Sequence, residues 1–219
     1  MTSPVSLGVL ISGSGTNLQA IIDAIAQNAL NAAIRVVISN RSEAYGLTRA
    51  RNHGLPTVVI PHQDFSSREA FEAEVTKILQ VHGVELVVLA GFMRIISKEF
   101  VQKYRWRVMN IHPALLPAFP GTHAQRQALE RGVRIAGATV HFVDEEVDHG
   151  PIIVQAAVPA YPDDTEESLS ARILAQEHRI YPQAIQLFAE GRLEIHGGKV
   201  IIRNEPHSPA AFLRSPEPA

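Results

Sequence analysis

The sequence predicts an α/β fold: a mostly parallel central sheet with helices on both faces. Three observations lead there. Apolar segments of strand length alternate with helix-period segments along most of the chain, the pattern of successive βαβ units. The segment ELVVLAG is almost wholly apolar, as a strand buried on both faces must be. The 219 residues, 46% hydrophobic and 19% charged, suffice for one sizeable core but not for two ordinary domains. Residues 1–204 are expected to form one domain, followed by a proline-rich tail, 205–219, held loosely.

SLGVLIS (Ser6 to Ser12) reads as the first strand. Leu18, Ile21, Ile22 and Ile25 then recur at helical spacing. IRVVIS is a second strand, AYGLTRARNHG a helix closed by Gly54, and LPTVVI a third strand. The next helix is expected to open with a Ser66-to-Glu69 capping box, to bury Phe71, Val75, Ile78 and Leu79, and to stop at Gly83. ELVVLAG and RVMNIH are strands, as are IAGATVHFVD and PIIVQAAVPA, with Asp144 to Gly150 between the last two. A long helix begins near Asp164 with a second capping box (Asp164, Glu167) and carries Leu169, Ile173, Ile180, Ala184 and Leu187 on one stripe. Pro182 is expected to kink or split it. RLEIHGGKVIIR reads as a hairpin turned at Gly197-Gly198.

Composition narrows the function. Twenty basic and 22 acidic residues give a net charge of −2, with no polycationic footprint for nucleic acid or an anionic membrane. No apolar run approaches the length of a membrane span, and Met1 to Gly8 lacks the order of an export signal, so a cytoplasmic location is expected. The chain has no cysteine, so any chemistry falls to His, Asp, Asn and backbone groups.

Three stretches stand out. ISGSGTNLQAII joins the first strand to the first helix, where backbone N–H groups and the positive end of the helix dipole can bind an anion. Gly13 and Gly15 permit the turn; Thr16 and Asn17 add side-chain donors. Such a turn can also be only a turn. The third glycine of a dinucleotide fingerprint is missing, and the second strand ends in Ser39-Asn40-Arg41 without a carboxylate for a ribose diol. Arg41 leaves an NADP-dependent variant open, and a phosphate monoester fits the loop better.

NIHPALLPAFPG places Asn110 and His112 on one side of a strand, at the carboxyl edge where open α/β sheets bind ligands. Pro113, Pro117 and Pro120 stiffen the loop that follows. An amide donates to a developing oxyanion and an imidazole passes a proton, which suits attack by an external amine on an activated carbonyl. A turn-capping Asn and a His bonded to a backbone carbonyl form the plainer alternative. VDEEVDHGPII sets Asp148 in an acidic loop, expected at the same edge if the strand before it runs parallel to RVMNIH. Asp148 would then hold the imidazolium and relay a proton. No HExxH or close His pair appears, His141 and His149 lying eight residues apart, and no metal is expected.

Together with VVLAGFMRIIS and AQEHRIYPQAI, these stretches resemble the phosphoribosylglycinamide formyltransferases of purine biosynthesis, from about Leu7 to Arg192. The resemblance implies a Rossmann-like formyltransferase fold and transfer of the formyl group of 10-formyltetrahydrofolate, as co-substrate, to the amine of glycinamide ribonucleotide. It implies Asn110, His112 and Asp148 as the catalytic trio, Gly15, Thr16 and Asn17 as phosphate ligands, and Glu177 as a ribonucleotide contact. Arg68, Met93, Arg94, Ile95 and Ile96, with Asn110 and Asp144, match positions that receive the folate. Read without it, AGFMRII is either core or an apolar wall for a flat heterocycle beside the bare backbone of Gly91.

Three residues depart from the family pattern: Thr16 where Ser is usual, Ala114 where Ser is usual, and His149 where a small residue is common. Only small-molecule substrates are expected as partners, for a monomer or homodimer. Relatives sharing NIHPALLP, the methionyl-tRNA formyltransferases and formyltetrahydrofolate deformylases, carry an added tRNA or regulatory domain for which this length leaves no expected room. A deformylase-like hydrolase, an NADP-dependent reductase and a non-enzymatic anion sensor are the rivals.

Overall fold

The computed structural model describes residues 3–205. The expected loose tail, from residue 206 onward, lies outside the described residues. The central sheet has seven strands: β1 (Val5–Ile11), β2 (Ala32–Ser39), β3 (Thr57–Val59), β4 (Leu86–Leu89), β5 (Val108–His112), β6 (Ile135–Phe142) and β7 (Ile152–Pro159). They lie in the order β3-β2-β1-β4-β5-β6-β7. The first five pair in parallel, whereas β6 and β7 join antiparallel. The condition set for the acidic loop, that β6 run parallel to β5, is therefore not met. The connection from β5 to β6, residues 113–134 with the small helix α5 (Ala124–Glu130), is long enough for a crossover, so its length does not dictate direction; the ladder that pairs Met109 with Phe142 and His112 with Thr139 is antiparallel.

Each sheet face buries a separate apolar layer. On one side α1 (Thr16–Ala26) and α6 (Glu166–Ala189) cover Leu7, Val9, Val88 and Met109. On the other, α3 (Arg68–Val81) and α4 (Lys98–Lys103) supply Phe71, Val75, Leu79 and Phe100 over Leu10, Val36 and Val87. The stripe Leu169, Ile173, Ile180, Ala184 and Leu187 is buried throughout, each larger side chain contributing about 1.5–3 kcal/mol. Helix α2 (Tyr45–Asn52) ends before Gly54, which has positive φ, and β8 (Leu193–His196) pairs with β9 (Lys199–Ile202) across Gly197-Gly198 as expected.

Both helix starts differ from expectation by one residue. Ser67, not Ser66, caps α3, accepting from Ala70 N (3.1 Å). Thr165 caps α6 in a reciprocal box with Ser168. Asp164 instead accepts from Tyr161 N (2.7 Å) and pairs with Arg172 (2.8 Å), whose guanidinium holds the carboxyl far below its usual range. Pro182 does not split α6, which runs unbroken over 24 residues. The packed stripe on either side outweighs the one amide bond that proline removes.

Candidate active site

Parallel pairing of β1, β4 and β5 brings their carboxyl ends to one edge, with the change of winding direction between β1 and β4. The glycine loop lies there. Gly15 caps α1 in the left-handed region (φ 71°, ψ 28°) with no side-chain cap. The first N–H groups of α1 thus face outward without intrahelical partners. A Cβ on Gly15 would come within 2.5 Å of Gly46 Cα on α2, so the loop and that helix touch backbone to backbone. Asn17 Nδ2 donates to Glu177 Oε2 on α6 (2.7 Å), while its buried Oδ1 has no partner. Burial pushes the Glu177 carboxyl up, an effect that the Asn17 bond partly offsets. Ser12, unremarked in the sequence, donates to Asn40 Oδ1 (2.6 Å) and accepts from Met93 N (2.8 Å), tying together the loops after β1, β2 and β4.

His112 and Asp148, 36 positions apart in the chain, meet at this edge. His112 Nε2 faces Phe119 O at 2.8 Å and Nδ1 lies 3.3 Å from Asp148 Oδ2. Both ring nitrogens thus face acceptors. Asp148 Oδ2 also accepts from Gly121 N (2.8 Å), and Oδ1 faces Asn110 Nδ2 at 3.4 Å. Because β6 is antiparallel, the acidic loop leaves from beside the start of β5, not its end, and must double back. It does so through Val143 N donating to Val108 O (2.9 Å) and a left-handed turn at Asp148 itself (φ 52°). The convergence expected from the sequence is present, by a route opposite to the one expected.

His141 is the residue that the sequence reading passed over except as a metal ligand. It stands directly across from Asn110 in the β5–β6 ladder. Its Nδ1 lies 2.9 Å from Phe142 O and its Nε2 lies 3.2 Å from Asn110 Nδ2. With Nδ1 donating, Nε2 accepts, and the Asn110 amide is fixed with its nitrogen toward the imidazole. Burial pushes the His141 ring below its usual value, against the pull of Phe142 O and Asp148. An antiparallel register is invisible to strand periodicity, so no local signal marked this pair.

The loop after β5 is held by more than its prolines. Thr139 Oγ1 donates to Ala114 O (2.7 Å) and accepts from Leu116 N (3.0 Å), while Gln155 Nε2 donates to Leu116 O (2.9 Å). The Leu116-Pro117 bond is cis. Ala114 lacks the hydroxyl of the family pattern, and its carbonyl is anchored through Thr139 regardless. His149 is committed to Asp144 (Nδ1 to Oδ2, 2.8 Å) rather than to Asp148; that bond raises the imidazole above its usual value.

The segment after β4 is divided between the two readings of AGFMRII: Ala90 and Phe92 are buried in the core, whereas Met93 and Ile95 are 68% and 59% exposed. Ile96 packs on the α3-side layer, and the buried Arg94 Nε has no hydrogen-bond partner. Asp144 is half-buried, and Arg68, the first residue of α3, is exposed; neither makes a contact with the Asn110, His112 and Asp148 cluster among the bonds of the described residues. Behind the cluster, the Tyr181 hydroxyl lies 3.0 Å from both Leu89 O and Met109 O, clasping β4 and β5 from α6.

A family model described as formyl transferase matches residues 6–185. The chain belongs to the formyl transferase family. Within that family it is 49% identical over 192 residues to the phosphoribosylglycinamide formyltransferase of Escherichia coli, covering 88% of this chain and 91% of that protein. It is 52% identical over 187 residues to the Drosophila melanogaster trifunctional purine biosynthetic protein adenosine-3, covering 84% of this chain and 14% of that much longer protein. The solved glycinamide ribonucleotide transformylase 1 of Symbiobacterium toebii superposes with a TM-score of 0.90 at 54% identity, covering 92% of this chain and 95% of that one. A formyltetrahydrofolate deformylase from Pseudomonas syringae shares the fold (TM-score 0.85) at 29% identity, with 91% of this chain and 66% of that one covered. Among the described residues no helix is long and apolar enough to cross a membrane.

Proposed function

We propose that the chain transfers the formyl group of 10-formyltetrahydrofolate to the amine of glycinamide ribonucleotide, a step of purine biosynthesis. Its small-molecule substrates meet at the carboxyl edge of β1, β4 and β5. The observation that carries the reading is the approach of Asp148 to His112 and Asn110 beside an outward-facing helix start. The backbone N–H groups at Gly15, Thr16 and Asn17 hold the ribonucleotide phosphate, with the helix dipole behind them. Glu177 and the unpartnered Asn17 Oδ1 accept from polar hydrogens of the ribonucleotide. Met93, Ile95 and Ile96 offer an apolar wall to the folate ring, with Arg94, Arg68 and Asp144 as the charged groups around it.

The amine nitrogen attacks the formyl carbon, forming a C–N bond and placing negative charge on the former carbonyl oxygen. Asn110 Nδ2 has one hydrogen engaged by His141; the other, on the long 3.4 Å approach to Asp148, is free to turn to the oxyanion. His112 donates to the same oxygen by giving up its longer approach, the 3.3 Å from Nδ1 to Asp148, while Nε2 stays on Phe119 O. Asp148 takes the proton that the attacking nitrogen sheds and returns it toward N10 as the bond from the formyl carbon to N10 breaks. The products are N-formylglycinamide ribonucleotide and tetrahydrofolate. No step calls on Arg41, the exposed residue that prompted the reductase reading.

Mixing the protein with 10-formyltetrahydrofolate should change folate absorbance only when glycinamide ribonucleotide is present. Turnover without the amine would instead mark a hydrolase, and no turnover with either would leave an anion-binding module. Asn110→Ala should lower kcat by about 10²–10³, the usual cost of one oxyanion donor, with phosphate affinity nearly unchanged. Wild-type turnover in that variant would remove Asn110 from the mechanism.

A further inference from the structure

Helix α2 bears no substrate contact in the reading above, yet its first turn is built against the glycine loop. Gly46 N donates to Gly13 O (3.0 Å). Arg49 Nε donates to Ser14 O (2.9 Å), its Nη1 lies 3.5 Å from Gln19 Oε1 on α1, and its guanidinium sits 5.1 Å from the Tyr45 ring centroid. Gly46 allows this seat: a Cβ there would fall 2.6 Å from Ile11 Cδ1 and 3.1 Å from Gly15 Cα. Two consecutive carbonyls of the loop, Gly13 and Ser14, are thus taken by α2.

The consequence follows from peptide geometry. In a planar trans peptide the C=O and the following N–H point in opposite directions. Turning Gly13 O toward Gly46 aims Ser14 N–H away from α2; turning Ser14 O toward Arg49 does the same for Gly15 N–H. We infer that Arg49 is a positioning residue that, with Gly46, sets the loop's N–H groups in the array that receives the substrate's phosphate. The guanidinium also adds positive charge behind the loop, whose carbonyl oxygens would otherwise offset the N–H dipoles. Arg49 needs no contact with the ligand for this. A flexible two-glycine loop has many conformations, and holding one of them before binding spares the ordering cost that would otherwise weaken affinity.

The inference rests on the phosphate role proposed for the glycine loop, and the experiment separates the two. Binding of inorganic phosphate alone is measured by calorimetry for wild type, Arg49→Met and Arg49→Lys, alongside KM for each substrate and kcat. Wild type should bind phosphate in competition with glycinamide ribonucleotide. Arg49→Met should weaken phosphate binding about tenfold, the loss expected from one charge-assisted bond, and raise the ribonucleotide KM by a similar factor. The folate KM and kcat should stay within about twofold of wild type, and Arg49→Lys, which can still reach Ser14 O, should recover part of the loss. Should Arg49→Met fail to fold, Arg49→Gln carries the same expectation. Phosphate affinity unchanged in the neutral variant overturns the role of Arg49 while leaving the loop's role standing. So does a loss spread equally over both KM values and kcat with no rescue by lysine, the mark of general destabilisation. Wild type that shows no phosphate competition removes the glycine loop as the anion site, and Arg49 with it.

Discussion

Replacing Asp148 with Asn tests whether the carboxylate acts through its charge. The two side chains of the pair are 5% and 11% exposed, His112 the more buried, and Nδ1 lies 3.3 Å from Oδ2. At that separation an imidazolium and a carboxylate attract by about 5 kcal/mol in a medium of effective dielectric near 20. The desolvation cost of holding both charges out of water offsets part of this, so loss of the charge should cost about 3–4 kcal/mol of transition-state stabilisation. That corresponds to a fall in kcat of about 10²–10³. The shape should survive, because an amide oxygen can replace Oδ2 as acceptor for Gly121 N. Steady-state turnover on both substrates measures the loss, with circular dichroism and calorimetric phosphate binding as controls on the fold and the glycine loop. An Asp148→Asn variant that folds, binds phosphate and turns over within about threefold of wild type would refute the ion-pair reasoning.

Other outcomes follow from the same geometry. Gly15→Ala should fold poorly or lose phosphate binding, because φ 71° costs an L residue about 1–2 kcal/mol and the new Cβ would meet Gly46 Cα at 2.5 Å; wild-type phosphate affinity by calorimetry would contradict this. Tyr181→Phe leaves the carbonyls of Leu89 and Met109 without their hydroxyl partner and should lower stability by about 1–3 kcal/mol in urea denaturation, an unchanged midpoint being the contrary result. His141→Asn should flatten the acid side of the stability profile. Burial depresses the folded imidazole from 6.5, so the unfolded chain binds the extra proton first and wild-type stability, full above about 6.5, declines as pH falls toward the folded value. Thermal melting over that range should show a shallower decline in the variant, and equal slopes would mean that His141 does not contribute.

Much of the scaffold was legible because it is local. Leu18, Ile21 and Ile22 on α1 and Leu169, Ile173 and Ile180 on α6 announce buried helix faces by spacing alone, and the glycine loop and Asn-x-His announce one sheet edge through the parallel βαβ rule. The helix caps were misplaced by one residue because Ser66-Ser67 and Asp164-Thr165 each offer two adjacent caps, and backbone geometry alone selects between them. The exposure of Met93 and Ile95 contradicts a reading from hydropathy, since a segment leaving a buried strand stays apolar whether it turns inward or outward. His141 and Arg49 were missed because each acts through a partner on another element: Asn110 across an antiparallel ladder, Ser14 across a helix-to-loop contact.

The order of apolar and polar residues, read one element at a time, by itself determined the strands, the helices and the groups able to do acyl chemistry. Tertiary structure alone decided that β6 runs antiparallel, that the acidic loop doubles back to set Asp148 against His112, and that α2 grips the glycine loop. Periodicity records which face of an element avoids water, and that is a property of a few neighbouring residues. Strand direction and loop path depend on which distant groups satisfy one another, and no window along the chain holds both partners.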